Sequence, residues 1–157
     1  MGEQEAEKIQ ELLREKGIEF RVLEHEPVYT SEQAAKVRGV ELKQGVKAMV
    51  CKTVEGKIVL GLIPADRKLD FKKMAEVFET KHVSLASPQE VLKATNCEIG
   101  SVSPFCGILS AIPTLLDSRV LDNELVEFNI GLHTLSIAMK PQDLQKVIRA
   151  RTGEIAQ

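Results

Sequence analysis

Three short stretches carry groups that could do chemistry. Lys47 lies in Gly45-Val-Lys-Ala-Met-Val-Cys-Lys-Thr-Val54, a run with the β-branched and apolar character of a strand. Glu98-Ile-Gly-Ser-Val-Ser-Pro-Phe-Cys-Gly107 holds a loop of small residues between Gly100 and Pro104. Glycine opens backbone angles closed to other residues and proline fixes its own φ, so Gly100, Ser101, Val102, Ser103 and Pro104 can aim N–H groups at one point. Gly131-Leu-His133 adds an imidazole beside a turn. A strand cation, backbone donors and an imidazole that converge on one pocket would bind an anion and polarise a carbonyl without a dedicated nucleophile. Each also has a plain alternative: a lysine that snorkels to solvent, an ordinary helix-to-strand turn, and a solvated turn histidine.

Nucleophilic and metal chemistry find less support. Cys51, Cys97 and Cys106 are odd in number and form no CxxC pair, which argues against a disulfide framework and a zinc site. His25, His82 and His133 lack metal-ligand spacing, so no metal and no cofactor is expected. There is no G-x-S-x-G elbow and no P-loop, and no base is assigned to Ser101 or Ser103. Cys51 in a strand and Cys97 at a helix end read as core fillers. Any of the three cysteines could meet a histidine in space, and no local signature selects one. Cys106, beside the loop, is the one to watch, so a thiol-dependent hydrolase using it stands as an alternative.

The elements that must position these groups alternate along the chain. Glu3–Lys16 reads as an amphipathic helix, with Ala6, Ile9, Leu12 and Leu13 on one stripe and Gly17 to end it. A short strand around Phe20 and Val22 closes at His25-Glu-Pro27. Thr30 and Gln33 make a capping-box pattern for a helix that stops at Gly39. Lys57–Ile63 returns antiparallel to the Lys47 strand through Glu55-Gly56. Alternation puts Lys47 on one face with Met49 and Cys51, and Val46, Ala48 and Val50 on the other. Asp70 opens a helix carrying Phe71, Met74, Ala75 and Phe78, and Val83 and Leu85 suggest a short strand. Ser87-Pro-x-Glu90 starts a helix that delivers the chain into the Gly100–Pro104 loop. Thr114–Asp117, Leu125–Ile130 and Thr134–Met139 read as strands, and Pro141 starts a closing helix. The polar tail from Arg149 is expected to fray. The sum is an α/β fold: a mixed, largely antiparallel sheet with helices packed on it.

Composition bounds the rest. With 157 residues, 43% hydrophobic and 28% charged, the chain reads as one soluble domain over 1–157 with a real core. No apolar run reaches the roughly 18–20 residues that cross a bilayer. Met-Gly-Glu-Gln-Glu-Ala-Glu lacks the basic and apolar regions of a signal peptide, and Ala6 stands where a myristoylation motif wants Ser or Thr. No membrane partner and a cytoplasmic location are expected. Zero Trp and one Tyr leave few platforms for stacking bases, which disfavours a general single-strand binder. Residues 1–35 carry nine acids and four bases, whereas residues 36–73 carry ten bases and four acids. That block is either solvated surface or a local basic face for a phosphate-bearing ligand.

The ordered motifs resemble the YbaK/ProX family of aminoacyl-tRNA editing domains, related to the editing insertion of bacterial prolyl-tRNA synthetases. The matching pieces are His25-Glu-Pro with Thr30-Ser-Glu-Gln-Ala-Ala35, Val46-Lys-Ala-Met-Val50 and Ile63-Pro-Ala-Asp-Arg-Lys-Leu-Asp70. They continue with Ala86-Ser-Pro-x-Glu90, Gly100-Ser-Val-Ser-Pro-Phe105, Pro113-Thr-x-x-Asp117 and Asn129-x-Gly-x-His133. The resemblance implies a trans-acting deacylase that hydrolyses the ester of a tRNA mischarged with a small amino acid of the Ala, Cys, Ser or Thr class. It implies Lys47 as the catalytic lysine, contacting the tRNA 3′ end or orienting the ester. It also implies Gly100–Pro104 as backbone wall of the aminoacyl pocket, with Gly131, His133 and Thr30 on the substrate. Water would attack, positioned by backbone and by the substrate's own ribose hydroxyl. Cys106 stands where Gly is common after Ser-Pro-Phe, which bears on pocket shape. The implied partners are the aminoacylated tRNA 3′ end and a synthetase, and a non-catalytic module binding either one is the alternative.

Overall fold

Alternation along one hairpin decides the architecture. The structure is a computed structural model and describes residues 2–157. In it β2 (Val46–Thr53) and β3 (Ile58–Pro64) pair antiparallel, with Lys47 opposite Ile63 and Met49 opposite Gly61. Gly56 makes the connecting turn at φ 88°, in the left-handed region that glycine enters without a Cβ clash. β4 (Val83–Leu85) flanks β2, while β5 (Thr114–Asp117) runs parallel to β3 and β8 (Arg151–Gly153) parallel to β5. This five-stranded sheet has the order β4-β2-β3-β5-β8.

A second sheet, β1-β7-β6, is built from β1 (Phe20–Glu24), β7 (Leu135–Met139) and β6 (Val126–Asn129). The expected single sheet is therefore two, because β1 pairs with β7 from the far end of the chain and no local pattern announces such a pairing. The antiparallel bias holds, in four of the six strand pairings.

Both faces of the five-stranded sheet are buried. Val46, Val50, Leu60, Leu62 and Leu116 pack toward Phe128, Ile137 and Met139 of the other sheet. Ala6, Ile9 and Leu13 of α1 (Glu3–Glu15) complete that core. Cys51, Val59, Ile63 and Leu115 form a second core with Met74 and Ala75 of α3 (Phe71–Val77). The tail from Arg149 does not fray: β8 joins the sheet, and Ile155 and Ala156 are fully buried in the second core. Two apolar residues in a polar tail suffice to dock it, since burying an Ile side chain contributes about 1.5–3 kcal/mol.

Helix ends follow their capping residues. Thr30 caps α2 (Ser31–Arg38), its Oγ1 accepting the Gln33 N–H at 3.1 Å. The Gln33 side chain accepts the Tyr29 N–H at 2.9 Å instead of closing the box on Thr30. Ser87 and Glu90 make a full capping box on α4 (Pro88–Thr95). The Lys52 ammonium at 2.8 Å, followed by the Ser87 donors, holds the Glu90 carboxyl down at about 2. The stability this carboxylate contributes is present above the unfolded range of about 4.3 and is lost as pH falls toward its folded value. Ser87→Ala is expected to cost about 1 kcal/mol in a urea titration, the usual worth of an N-cap. A short helix not expected from sequence, α5 (Cys106–Leu109), follows the loop, and α6 (Pro141–Ile148) packs Leu144, Val147 and Ile148 inward.

Candidate active site

The strand lysine and the small-residue loop do meet. A cavity of about 290 Å³ lies between α2, β2 and the segment after α4, and Lys47, Met49, Thr30, Arg38, Gly100 and Val102 all line it. Lys47 is half-buried on the face predicted for it, and its Nζ donates to the Arg67 carbonyl at 2.7 Å. The lysine is thus held and does not snorkel freely. Burial lowers its pKa from the ordinary lysine range, Glu32 and Asp66 oppose that shift, and Lys68 adds to it.

The loop presents backbone and keeps its hydroxyls inside. Gly100 adopts φ 87°, and its carbonyl accepts the Asn129 Nδ2 at 3.0 Å. The Ser101 carbonyl accepts the Gly131 N–H at 2.8 Å. Ser101 Oγ donates to the Glu98 carbonyl, and Ser103 Oγ accepts the Phe105 N–H. Ser101, Ser103 and Pro104 are buried and do not line the cavity. Gly100 and Val102 do line it, and their N–H groups donate to no acceptor among the described residues. Val102 is only 7% exposed, and buried backbone donors are seldom left unpaired.

Gly131 and His133 stand one layer back. A Cβ placed on Gly100 would sit 3.4 Å from His133 Cε1, so the imidazole backs the loop. His133 Nδ1 lies 3.1 Å from the Val28 carbonyl, and the ring packs on Tyr29 at a centroid distance of 4.6 Å. Nε2 lies 3.4 Å from Glu98 Oε2 without hydrogen-bond geometry, so this contact attracts only when the ring is protonated. Thr30 lines the mouth.

A polar network centred on the buried Asn129 and Ser136, which residue-by-residue reading missed, pins the loop. Arg38 donates through Nη2 to Asn129 Oδ1 at 2.6 Å and through Nε to Ser136 Oγ at 3.0 Å. Ser136 Oγ donates to Asn129 Oδ1 at 3.1 Å, and His25 Nε2 lies 2.7 Å from the same hydroxyl. Burial depresses the Arg38 pKa against the pull of Glu127, and burial raises that of Glu127 against Arg38 and Arg21. The one available signal was the Asn129-x-Gly-x-His133 motif, since Arg38 looked like part of a basic face.

That basic face is broken up. Arg38 is half-buried on the cavity wall and bonded to Asn129, Lys52 pairs with Glu90, and Lys43 lies 3.7 Å from Glu41. What remains near the site is a second cavity of about 320 Å³, which shares Lys47, Met49 and Leu85 with the first and adds Lys68 and Phe71. The cysteines stay out: none lines either cavity, and Cys106 lies buried in α5. Burial pushes the thiols of Cys51 and Cys106 up to about 12 and that of Cys97 to about 11. A thiolate nucleophile at Cys106 does not fit this environment.

The fold is α/β, and its pocket is lined by a lysine held by a backbone carbonyl and by Gly100 and Val102. Residues 25–147 match the family model described as the aminoacyl-tRNA editing domain, and the chain belongs to that family. It is 32% identical over 140 residues to the multifunctional Ser/Thr-tRNA deacylase ProXp-y of Escherichia coli K12, covering 87% of this chain and 83% of the relative. It is 25% identical to the prolyl-tRNA editing protein ProX of Acetoanaerobium sticklandii, covering 88% and 87%. A solved structure provisionally described as a trans-editing enzyme for prolyl tRNA synthetase superposes with a TM-score of 0.84 at 25% identity, over 98% of this chain and 97% of that one.

Proposed function

We propose that this chain is a trans-acting deacylase that hydrolyses the ester of a tRNA mischarged with a small amino acid of the Ala, Cys, Ser or Thr class. The observation that carries this reading is Lys47, held by the Arg67 carbonyl on the wall of a cavity also lined by Gly100 and Val102, whose N–H groups donate to no acceptor among the described residues. The aminoacyl group enters this cavity, and the backbone donors receive its carbonyl oxygen as negative charge develops there. Water forms the new C–O bond while the ester C–O bond to the ribose breaks. The ribose oxygen leaves with a proton, giving free amino acid and an intact tRNA 3′ end. Lys47 supplies the positive charge and, with Lys68 in the adjoining cavity, faces the phosphates of that end. Thr30 meets the substrate at the mouth. Gly131 and His133 set Gly100 from behind, and Ser101, Ser103 and Pro104 fix the loop from within.

Among the described residues no helix is long and apolar enough to cross a membrane. The partners in this reading are the charged tRNA 3′ end and the synthetase that produces it, and the location is the cytoplasm. A hydrolysis-resistant amide analogue of the charged 3′-terminal adenosine should compete with the ester and be released uncleaved. Ester loss at the same rate with and without protein would contradict the proposal.

The lysine shift gives a pH signature. If the ammonium form is the active one, background-corrected kcat/KM falls as pH rises through the lowered pKa. Its alkaline limb then lies below the ordinary lysine value of about 10.4. Lys47→Arg should move that limb to higher pH, because the guanidinium stays charged.

A further inference from the structure

The Pro113-Thr-x-x-Asp117 motif has no place at the cavity, yet Asp117 is fully buried and its carboxylate collects four donors. Oδ1 accepts the Arg119 N–H at 2.9 Å. Oδ2 accepts the Ile155 and Ala156 N–H groups at 2.9 and 2.8 Å, with Arg119 Nη1 at 3.3 Å. Asp117 therefore fixes the segment after β8 by its backbone. That segment in turn grips residues 67–70 at each position. Arg67 Nη1 donates to the Gln157 carbonyl, the Gln157 N–H donates to the Lys68 carbonyl, Leu69 bridges to Ala156, and the Asp70 N–H donates to the Ile155 carbonyl at 2.7 Å. Residues 65–69 link β3 to α3 outside regular structure, and the Arg67 carbonyl among them is the group that holds Lys47 Nζ.

We propose that residues 154–157 form a strap, anchored by Asp117, that sets the position of Lys47 through the Arg67 carbonyl. Asp117 is thereby a positioning residue of the editing site. The proposal takes Lys47 as the catalytic group and in that respect rests on the deacylase reading. The strap packs Ile155 and Ala156 into the second core with Leu69, and it bonds the backbone of residues 68–70 and the Arg67 side chain. It also brings Gln157 to the second cavity, so its effect reaches Lys47 through the 65–69 loop. A displacement near 1 Å in a reacting group is enough to matter, since it can cost about 10²-fold in rate.

Two variants and two readouts test this. Asp117→Asn keeps the size of the side chain but presents fewer acceptor sites to the donors around it. Gln157→Pro removes the N–H that reaches Lys68 and also the Gln157 side chain on the second cavity, so its labelling ratio is read against a Gln157→Ala control that keeps the N–H. In Asp117→Asn, kcat for deacylation should fall about tenfold with KM nearly unchanged, as expected when a catalytic group is misplaced. Placed on a Lys47→Ala background, the same change should lower the residual rate no further, which is the signature of one shared route. The second readout needs no activity. Acetylation of Lys47 by an amine-reactive ester, mapped by mass spectrometry against exposed Lys8, should speed up about threefold or more in both variants as the local structure loosens.

A purely structural role would lower the rate equally on both backgrounds and leave the Lys47-to-Lys8 labelling ratio at its wild-type value, and that pair of results overturns the strap. If Asp117→Asn does not fold, Gln157→Pro decides: a raised ratio supports the strap and an unchanged one overturns it. A raised ratio in a protein that deacylates nothing would sink the deacylase reading and keep the strap. An unchanged ratio in an active enzyme would do the reverse.

Discussion

Lys47→Ala should lower kcat/KM for deacylation by about 10²–10³-fold, the loss typical when one preorganised charge-stabilising donor is removed. The fold should survive. Burial disfavours the Lys47 charge, so its removal relieves a desolvation cost, and what is lost is one hydrogen bond to the Arg67 carbonyl at a half-buried position. A net hydrogen bond contributes about 0.5–1.5 kcal/mol, so the thermal midpoint should drop by only a few degrees. Linkage adds a second sign. A lysine whose folded pKa lies below its unfolded one makes the wild type gain stability as pH rises between those two values, and the variant should lose that slope. A fully active Lys47→Ala protein would remove the mechanism while leaving the pocket.

Asn129→Asp should have the next largest effect, and it separates activity from stability. The carboxylate can still accept from Arg38 and Ser136, and charge assistance strengthens the first of these bonds. It cannot donate to the Gly100 carbonyl, which at 3.0 Å would then face a second acceptor. The loop must move away, and the Gly100 and Val102 donors move with it. The rate should fall by up to about 10²-fold, as for a displacement near 1 Å, while the urea midpoint stays close to wild type. Asn129→Ala should instead lose both properties. It leaves the Arg38 guanidinium short of an acceptor, at about 1.5–3 kcal/mol for a hydrogen bond to a charged group. Equal rates for wild type and Asn129→Asp would show that the Gly100 carbonyl needs no anchor.

What the sequence made legible was local. Ser87-Pro-x-Glu90 and Asp70 start their helices as read, and Lys47, Met49 and Cys51 share the face that period-two alternation assigns. The loop and the lysine were legible as candidates because glycine, proline and a strand cation are uncommon enough together to stand out. The division of the strands into two sheets was not, since β1 and β7 belong together only through tertiary packing. Nor was the Arg38–Asn129–Ser136 network, because an arginine bonded inward and one turned to solvent look alike in a basic stretch. The tail misled for the opposite reason. Arg149 to Glu154 is polar, and the Ile155-Ala156 pair that docks it is too short to give a periodic signal. Cys106 looked available beside a loop, whereas the four-residue helix that follows Phe105 turns it into the core.

The central claim is that the cavity between Lys47 and the Gly100 loop is an aminoacyl site where the ester is cut. Multiple turnover on mischarged tRNA tests it most directly. A panel of Pro, Ala and Thr tRNAs carrying small non-cognate amino acids is incubated with protein far below the substrate concentration, and free amino acid and intact tRNA are both followed. For at least one member each protein molecule should release many amino acids and leave the tRNA whole. Binding of the charged tRNAs with no release above background from any of them would contradict it, and would make this fold a carrier of tRNA or of a synthetase.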